Sequence, residues 1–478
     1  MELEGRLVLN PLATVFRHNG GLYLFDPASR TCASMNEAML TFLTQPDGAD
    51  FPADLSGDNR AALMDVARHL RERGVLVEAK DGGNGTGREP QDAPSMTRLV
   101  IFLTSKCNLQ CAYCYARGGD SGKTIHKDVW QIAMDYFFST LAWGEAWRFA
   151  RRHGVNLTIH GGGEPTVEFA ALREIVAEFR ERARGAGLRT TVTLGTNGTY
   201  AEAVHQWIVE NHVQVTFSLD GPRDIHNLQR PFRSGAPSYD VVVRNLAALV
   251  KAGRYVSIRA TITREALATM EETVELARQL GLAAVRFEPV TLTGRGSSGT
   301  VSRPDVEEFT EKFLKCYLLG LRYDINVGYS GIHCFERCRQ RFCSACGHNF
   351  GVTPDGDIST CYEVLDAADP AASMFFIGRV DVAERRVVLD EQRIEALKRR
   401  VASNMKACEG CLLRYQCAGD CPIKSFRYST RDLYHPDPYR CEIANRINKT
   451  LIAWVADEVI EPRHAEQTTV FSVNQVPQ

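Results

Sequence analysis

Three cysteines, Cys107, Cys111 and Cys114, stand at Cys-x3-Cys-x2-Cys spacing directly after the apolar run Leu99 to Leu103. Soft thiolate sulfur suits iron, and a loop this short can fold three thiolates around one iron–sulfur cube. Four cysteines would close such a cluster for electron transfer alone. Three leave one iron open to a further ligand, and therefore to chemistry. A zinc knuckle would want a second Cys-x2-Cys half or histidines close by. A second constellation fills the C-terminal third: Cys346, nine residues, Gly356, four residues and Cys361; then Cys408-x2-Cys411-x5-Cys417-x3-Cys421; then Cys441. Cys334, Cys338 and Cys343 lie within a dozen residues upstream of Cys346. The total of 15 cysteines is odd, and Met1-Glu2-Leu3-Glu4-Gly5-Arg6 has no basic segment followed by an apolar core, so metal ligation in a reduced cytoplasm is expected rather than disulfides.

These residues need a scaffold, and the pattern supplies one. Strand-like runs at Leu99 to Leu103, Asn156 to His160, Thr190 to Leu194, Gln214 to Leu219, Val256 to Thr261 and Val285 to Glu288 alternate with helical stretches. Such alternation predicts an α/β fold with a parallel sheet and crossover helices, six units fitting a partial (β/α)6 barrel with its site at the C-terminal strand ends. Gly161-Gly162-Gly163-Glu164-Pro165 follows the second of these strands, Thr196-Asn197-Gly198 the third, and Ser218-Leu219-Asp220-Gly221 ends the fourth. His226 and Arg230 come next at helical spacing. Glu288, Glu336, Tyr362 and Glu363 fall near the expected site without any one standing out as a catalytic base.

The cysteine loop with its trailing aromatic, in register with the Gly-Gly-Glu-Pro turn, resembles the radical S-adenosylmethionine (radical SAM) superfamily. The resemblance implies that Cys107, Cys111 and Cys114 hold a [4Fe-4S] cluster whose open iron binds SAM. It implies further that Gly162, Gly163 and Glu164 meet the SAM ammonium, that Asn197 and Ser218 line its pocket, that Arg230 can pair with its carboxylate, and that the Tyr115 backbone meets the adenine edge. The C-terminal cysteines reproduce the seven-cysteine pattern of the SPASM extension. That likeness implies two auxiliary [4Fe-4S] clusters: a distal one on Cys408, Cys411, Cys417 and Cys441, and a nearer one on Cys346, Cys361 and Cys421. The nearer cluster's fourth ligand is left to Cys343, which forms a chelating pair with Cys346, to Cys338, or to none. Cys32 and Cys316 read as core residues.

Residues 1–80 read as a winged-helix-like α+β unit. A hairpin turns at His18-Asn19-Gly20-Gly21, one helix is capped by Asn36 and another starts at Asn59, and Val75-Leu76-Val77 closes as a strand. It resembles the peptide-recognition element fused to many peptide-modifying radical SAM enzymes, in which a substrate segment adds as a strand to a sheet edge. A glycine- and proline-bearing linker at 81–97 leads to the barrel at 98–325, a SPASM domain at 326–445, and a C-terminal helix and tail at 446–478, whose end is loose or folded over the barrel mouth. The chain carries 56 basic and 58 acidic residues, net −2. It has no global field for nucleic acid, and no apolar run long enough for a membrane span.

The combination resembles SPASM-type maturases of ribosomally made peptides, closest to the thioether-forming branch that matures quinohemoprotein amine dehydrogenase. It implies a peptide or small-protein substrate held by the N-terminal unit and an external electron donor. The alternatives are formylglycine formation, as in sulfatase maturation, and radical chemistry on a small metabolite.

Overall fold

The computed structural model describes residues 7–44, 57–78, 97–141, 144–335, 337–429, 431–461 and 469–472. Glu336 lies outside them. Strands β1 (Leu7–Leu9), β2 (Thr14–His18), β3 (Gly21–Asp26) and β4 (Thr31–Met35), helices α1 (Glu37–Thr44) and α2 (Gly57–Glu72), and strand β5 (Leu76–Glu78) form the N-terminal unit. The β2–β3 hairpin turns on Asn19 and Gly20, both at positive φ, a conformation these residue types adopt readily. Asn36 caps α1, its Oδ1 accepting from the Met39 amide at 2.9 Å. The second helix begins two residues before the expected Asn59 cap. Strand alternation sorts the sheet's two faces. Leu22, Leu24, Ala33 and Met35 pack with Met39, Phe42, Leu63 and Leu70, while Tyr23, Phe25 and Cys32 join the main core.

All six expected central strands are present: β6 (Arg98–Phe102), β7 (Val155–His160), β8 (Thr190–Thr196), β9 (Gln214–Ser218), β10 (Val256–Ile262) and β11 (Ala284–Pro289). A seventh, β12 (Asn326–Gly328), follows, and all seven are parallel neighbours in chain order. Parallel neighbours need crossovers. These are carried by α3 (Lys127–Thr140), α4 (Gly144–His153), α5 (Phe169–Gly185), α6 (Glu202–Glu210), α7 (Arg223–Gln229), α8 (Tyr239–Lys251), α9 (Met270–Gln279) and α10 (Val306–Arg322). One strand face, including Leu157, Ile159, Leu194, Phe217, Ile258 and Phe287, is fully buried in the main core. The alternate residues, Thr158, His160, Thr216, Ser218, Arg259, Arg286 and Glu288, give the opposite face a polar character. The sheet does not close, because β12 is an edge.

The cysteine-rich third is built onto the other side of the same sheet. Strand β13 (Phe350–Val352) pairs in parallel with β6, and β14 (Asp357–Ser359), β15 (Phe376–Asp381) and β16 (Arg386–Leu389) continue antiparallel, giving eleven strands in one sheet. Short helices α11 (Ala372–Phe375), α12 (Glu391–Lys398), α13 (Arg414–Cys417) and α14 (Pro422–Tyr428) frame the cysteines. Helix α15 (Pro438–Ala456) crosses the expected 445/446 boundary. Of the apolar stripe expected from Ile443, Ile447, Leu451, Trp454 and Val455, it buries all but Trp454, which is half-buried, and it reaches the N-terminal sheet. There the Tyr23 hydroxyl donates to Asp457 at 2.8 Å and His18 Nε2 meets Thr450 Oγ1 at 3.0 Å.

The tail departs from expectation. Residues Thr469–Ser472 form β17, which pairs in parallel with β4 from Thr469↔Thr31 to Ser472↔Ser34. They therefore extend the N-terminal sheet instead of covering the barrel mouth. Among the described residues, no helix is long and apolar enough to cross a membrane.

Candidate functional site

The cysteine loop leaves the C-terminal end of β6 and is clamped on two sides. From β7, the Gly163 amide donates to Thr104 O at 2.9 Å and the Glu164 amide to Lys106 O at 2.8 Å. A β-carbon on Gly163 would stand 1.9 Å from Lys106 O, so glycine is required there by the loop's own backbone. From beyond β11, Arg295 donates through Nε to Cys111 O at 3.0 Å and its guanidinium pairs with Asp120. Burial pushes the Cys107 thiol up to about 11 and the Cys111 thiol up to about 12. Thiols this reluctant to ionise become thiolates when a cation takes their charge, as coordinated iron does.

Around this loop the motif residues converge. Glu164 is 2 % exposed. Its carboxylate accepts from Thr166 N, Thr166 Oγ1, Thr196 Oγ1 and Asn197 N at 2.6 to 3.1 Å. All four donors are neutral, and burial raises its pKa. It pairs with no cation among the described residues, so the donor set fits an ammonium. The Asn197 side chain bridges Asn108 Oδ1 at 2.9 Å and Cys107 Sγ at 3.9 Å.

Asp220, fully buried, organises the opposite side. Its carboxylate accepts from the Tyr113 hydroxyl, Gln229 Nε2, Arg230 Nε and the Thr261 amide. Burial opposes its charge, but the Arg230 guanidinium holds it below the usual carboxylate range. Arg230 is itself buried against the Tyr113 ring and reaches Cys111 Sγ at 3.8 Å. His226, which from its spacing could have been a solvated surface residue, is fully buried between the Asp220 amide and Ser238.

Eight of the remaining cysteines fall into two sets. Besides burial, the thiol of Cys343 is raised by Cys346, Cys421 and Cys361. Those of Cys408, Cys411, Cys417 and Cys441 act on one another in the same way. Cys338 lies elsewhere, beside Asp26 and Arg30 of the N-terminal unit. Cys343 is exposed as a residue, yet its sulfur is crowded by the other three. Among the described residues, no three His, Cys, Asp or Glu side chains converge tightly enough for one metal ion. Sets of four thiols are the donor chemistry that an iron–sulfur cluster takes.

Charge around these sets supports that fit. Arg400 is fully buried, donating to Leu433 O at 2.6 Å, Gly419 O at 2.6 Å and Ser425 Oγ at 3.2 Å, and lying against the Cys346 thiol. No carboxylate forms an ion pair with it among the described residues, and its charge works against the burial that raises the Cys346 thiol. Ala418, Gly419 and Asp420, between Cys417 and Cys421, all have positive φ. This strained turn sends carbonyls to Arg400 and the Asp420 carboxylate to Arg440, a bidentate pair at 2.6 and 2.9 Å. Lys424 and Arg427 both pair with Glu363, tying α14 to the chain beside Cys361.

Burial raises the pKa of the Tyr115 phenol, and the charges of Glu363, Cys114 and Cys361 add to the effect. Tyr362 stacks on His160 with ring centroids 5.2 Å apart, and Glu288 accepts from the Ser330 amide and hydroxyl. Ser218 lies on the polar strand face, level with Arg259. Arg400, Arg440, Arg295 and Asn448 carried no motif. The sole sequence signal for the two C-terminal arginines is their nearness to the cysteine pattern.

Comparison with known proteins completes the picture. Residues 101–277 match the Radical SAM superfamily model. The AdoMet-dependent heme synthase of Methanosarcina barkeri is 28% identical over 221 residues, 45% of this chain and 57% of that one. The match thus spans little over half of that relative's length. Among solved structures, native anSMEcpe with bound AdoMet and Cp18Cys peptide aligns at TM-score 0.56 and 17% identity, over 76% of this chain and 99% of that one. Streptococcus suis SuiB aligns at TM-score 0.50 and 15% identity, over 90% and 99%. The matched residues run from the end of β6 through β10 and include the cysteine loop and the glycine turn, so it is this part of the chain that is similar to the Radical SAM superfamily.

Proposed function

We propose that this chain modifies a ribosomally made peptide or small protein, forming thioether crosslinks from Cys sulfur to side-chain carbons such as those of Asp or Glu, as in the branch that matures quinohemoprotein amine dehydrogenase. The observation that supports the reading is how the Cys361 segment is seated beside the first cysteine loop: β13 pairs in parallel with β6, and a β-carbon on Gly162 would stand 3.1 Å from Leu365 Cδ1, just past Cys361. Cys107, Cys111 and Cys114 hold the SAM-binding [4Fe-4S] cluster. Cys343, Cys346, Cys361 and Cys421 hold the nearer auxiliary cluster, and Cys408, Cys411, Cys417 and Cys441 the distal one.

When bound, these groups supply reductive cleavage of SAM to a hydrogen-abstracting 5′-deoxyadenosyl radical and a sink for the electron that crosslinking releases. The protein's own residues do the rest. Glu164 receives the SAM ammonium, with Gly162 and Gly163 giving close approach and Asn197, Ser218 and the Tyr115 backbone lining the pocket. Arg230, anchored on Asp220, supplies positive charge at Cys111 and towards the SAM carboxylate. Phe102, packed edge-on against His160 and Tyr362, keeps water from the inner end of the site. Residues 1–80 hold the substrate, as a peptide accompanies the similar anSMEcpe fold, and an external donor provides electrons. The compartment is the cytoplasm.

The likeness to anSMEcpe, an anaerobic sulfatase-maturating enzyme, favours a second reading, oxidation of a Cys or Ser to formylglycine. Members of that branch usually carry a catalytic Asp directly after the position of Cys361, where this chain has Tyr362, and that difference supports the crosslink. The test is mass spectrometry of small cysteine-containing proteins encoded beside this chain, incubated anaerobically with iron-reconstituted enzyme, SAM and reductant. Loss of two hydrogens per modified cysteine, with the sulfur retained and closed to alkylation, supports thioether formation. Loss of the sulfur with a hydrazide-reactive product supports formylglycine. SAM cleavage without any change in a polypeptide rejects both in favour of a small metabolite.

A further inference from the structure

The cysteine loop is paired along its length with the end of α7 and the residues after it. The Gln110 amide donates to Pro231 O at 2.8 Å and the Ala112 amide to Gln229 O at 2.9 Å, while the Arg233 amide donates back to Asn108 O at 3.0 Å. Leu109 and Phe232 form an antiparallel bridge in the same register, which sets Cys111 directly opposite Arg230. N–H groups reach all three sulfurs of the loop. Cys114 Sγ accepts from the Gly118 amide at 3.3 Å, Cys107 Sγ from Asn197 Nδ2 at 3.9 Å and Cys111 Sγ from Arg230 Nη1 at 3.8 Å. Of these donors the guanidinium alone is charged.

That charge is held in place. Arg230 Nε donates to Asp220 at 2.9 Å and its guanidinium lies over the Tyr113 ring, 5.1 Å from the centroid. Asp220 is anchored in turn by Gln229 Nε2 at 2.8 Å and the Thr261 amide at 3.0 Å. Cys111 and Arg230 are each 8 % exposed, a depth at which dissolved salt screens little. A cluster takes up an electron more readily when N–H groups and positive charge face its sulfurs. We propose that Arg230, acting on Cys111, raises the reduction potential of the cluster held by Cys107, Cys111 and Cys114, with Asp220 as the opposing charge that limits the rise. The electron itself comes from the external donor, one for each reduction. The role rests on the assignment of those three cysteines to the cluster, and is independent of the substrate and of the bond made in it.

The test is an EPR-monitored redox titration of the full, iron-reconstituted chain without SAM, with titanium(III) citrate as reductant. The relevant signal is the one that changes on adding SAM and is missing from a Cys107→Ala, Cys111→Ala, Cys114→Ala variant. Arg230→Gln is expected to make that cluster about tenfold harder to reduce, a fall of about 59 mV for one electron, and Asp220→Asn to shift it the opposite way. Arg230→Lys, which keeps the charge without the fork, is expected to lie between wild type and Arg230→Gln. Opposed signs separate tuning from structure, because damage to the loop would move every variant in one direction. Should Arg230→Gln take up too little iron to titrate, Asp220→Asn above wild type and Arg230→Lys below it decide the matter. Equal potentials in all the proteins would overturn the role, as would shifts of one sign. So would a shift seen only with SAM bound, which would make Arg230 a ligand of the SAM carboxylate alone. If no signal of the wild type responds to SAM, the cluster assignment falls and this role with it. A failed crosslinking assay beside the expected titration rejects the proposed substrate chemistry and upholds the role of Arg230.

Discussion

Arg400 holds the cysteine-rich third together in a way that a single substitution can expose. Its guanidinium donates to backbone carbonyls on two loops and sits beside Cys346. Arg400→Met removes the donors and leaves those carbonyls and a thiolate uncompensated, a change expected to cost about 3 kcal/mol. Denaturant melts would register it as a lower midpoint at unchanged slope; a midpoint within error of wild type would rule the role out. Histidines give a pH signature. Burial holds His160 and His226 down to about 4 in the folded chain, against 6.5 when unfolded. Between these values the unfolded state binds more protons, so their stabilising contribution is complete above pH 6.5 and is lost as pH falls towards 4. Each accounts for up to about 3 kcal/mol. Melts at pH 7.5 and pH 5 should therefore differ, and His226→Gln should remove roughly half of the difference. An unaltered difference would show that other groups set it.

At the scale of elements, α15 is the strut between the N-terminal sheet and the cysteine sets. Asn448 on this helix is fully buried and satisfied. Its Oδ1 accepts from the His333 and Cys334 amides at 2.8 Å, and its Nδ2 donates to Gly331 O and Ala444 O. This fixes the loop leading from β12 to Cys343. Asn448→Ala strands two buried amides and should cost about 2 to 3 kcal/mol, with lower iron content after reconstitution; full iron loading would separate the loop from cluster assembly. Strand β17 occupies the backbone edge of β4. A chain ending at Glu461 should therefore bind extended peptides at its N-terminal unit at least tenfold more tightly, as read by fluorescence anisotropy. Equal affinities would mean that substrate docks elsewhere.

Across the whole molecule, chemistry that demands fixed spacing was the legible part. Cys107, Cys111 and Cys114 stand close enough in the chain for their spacing to be read in one dimension, and the six central strands announce themselves as apolar runs bounded by polar ends. Arg400, Arg440 and Asn448 were not legible, because each acts across sequence distances at which no periodicity operates. Asp220 sat inside a motif read for Ser218, yet it is the carboxylate that gathers Tyr113, Gln229 and Arg230. His226 looked equally suited to solvent until the fold enclosed it. Spacing favoured Cys343 only slightly over Cys338, through its chelating pair with Cys346, and the charges of Asp26 and Arg30 acting on Cys338 place it by the N-terminal unit. The strand at Thr469–Ser472 is four residues of ordinary β-propensity, whose partner could not be inferred from so short a run.

That strand has a consequence for how the protein is made. The sheet begun by residues 14–35 gains its fourth strand from residues 469–472, so on the ribosome it stays unfinished until nearly all of the chain has emerged. Throughout synthesis the β4 edge is bare, open to any extended segment that passes. The loop closed by that pairing runs from Ser34 to Thr469, with the entropy cost that implies.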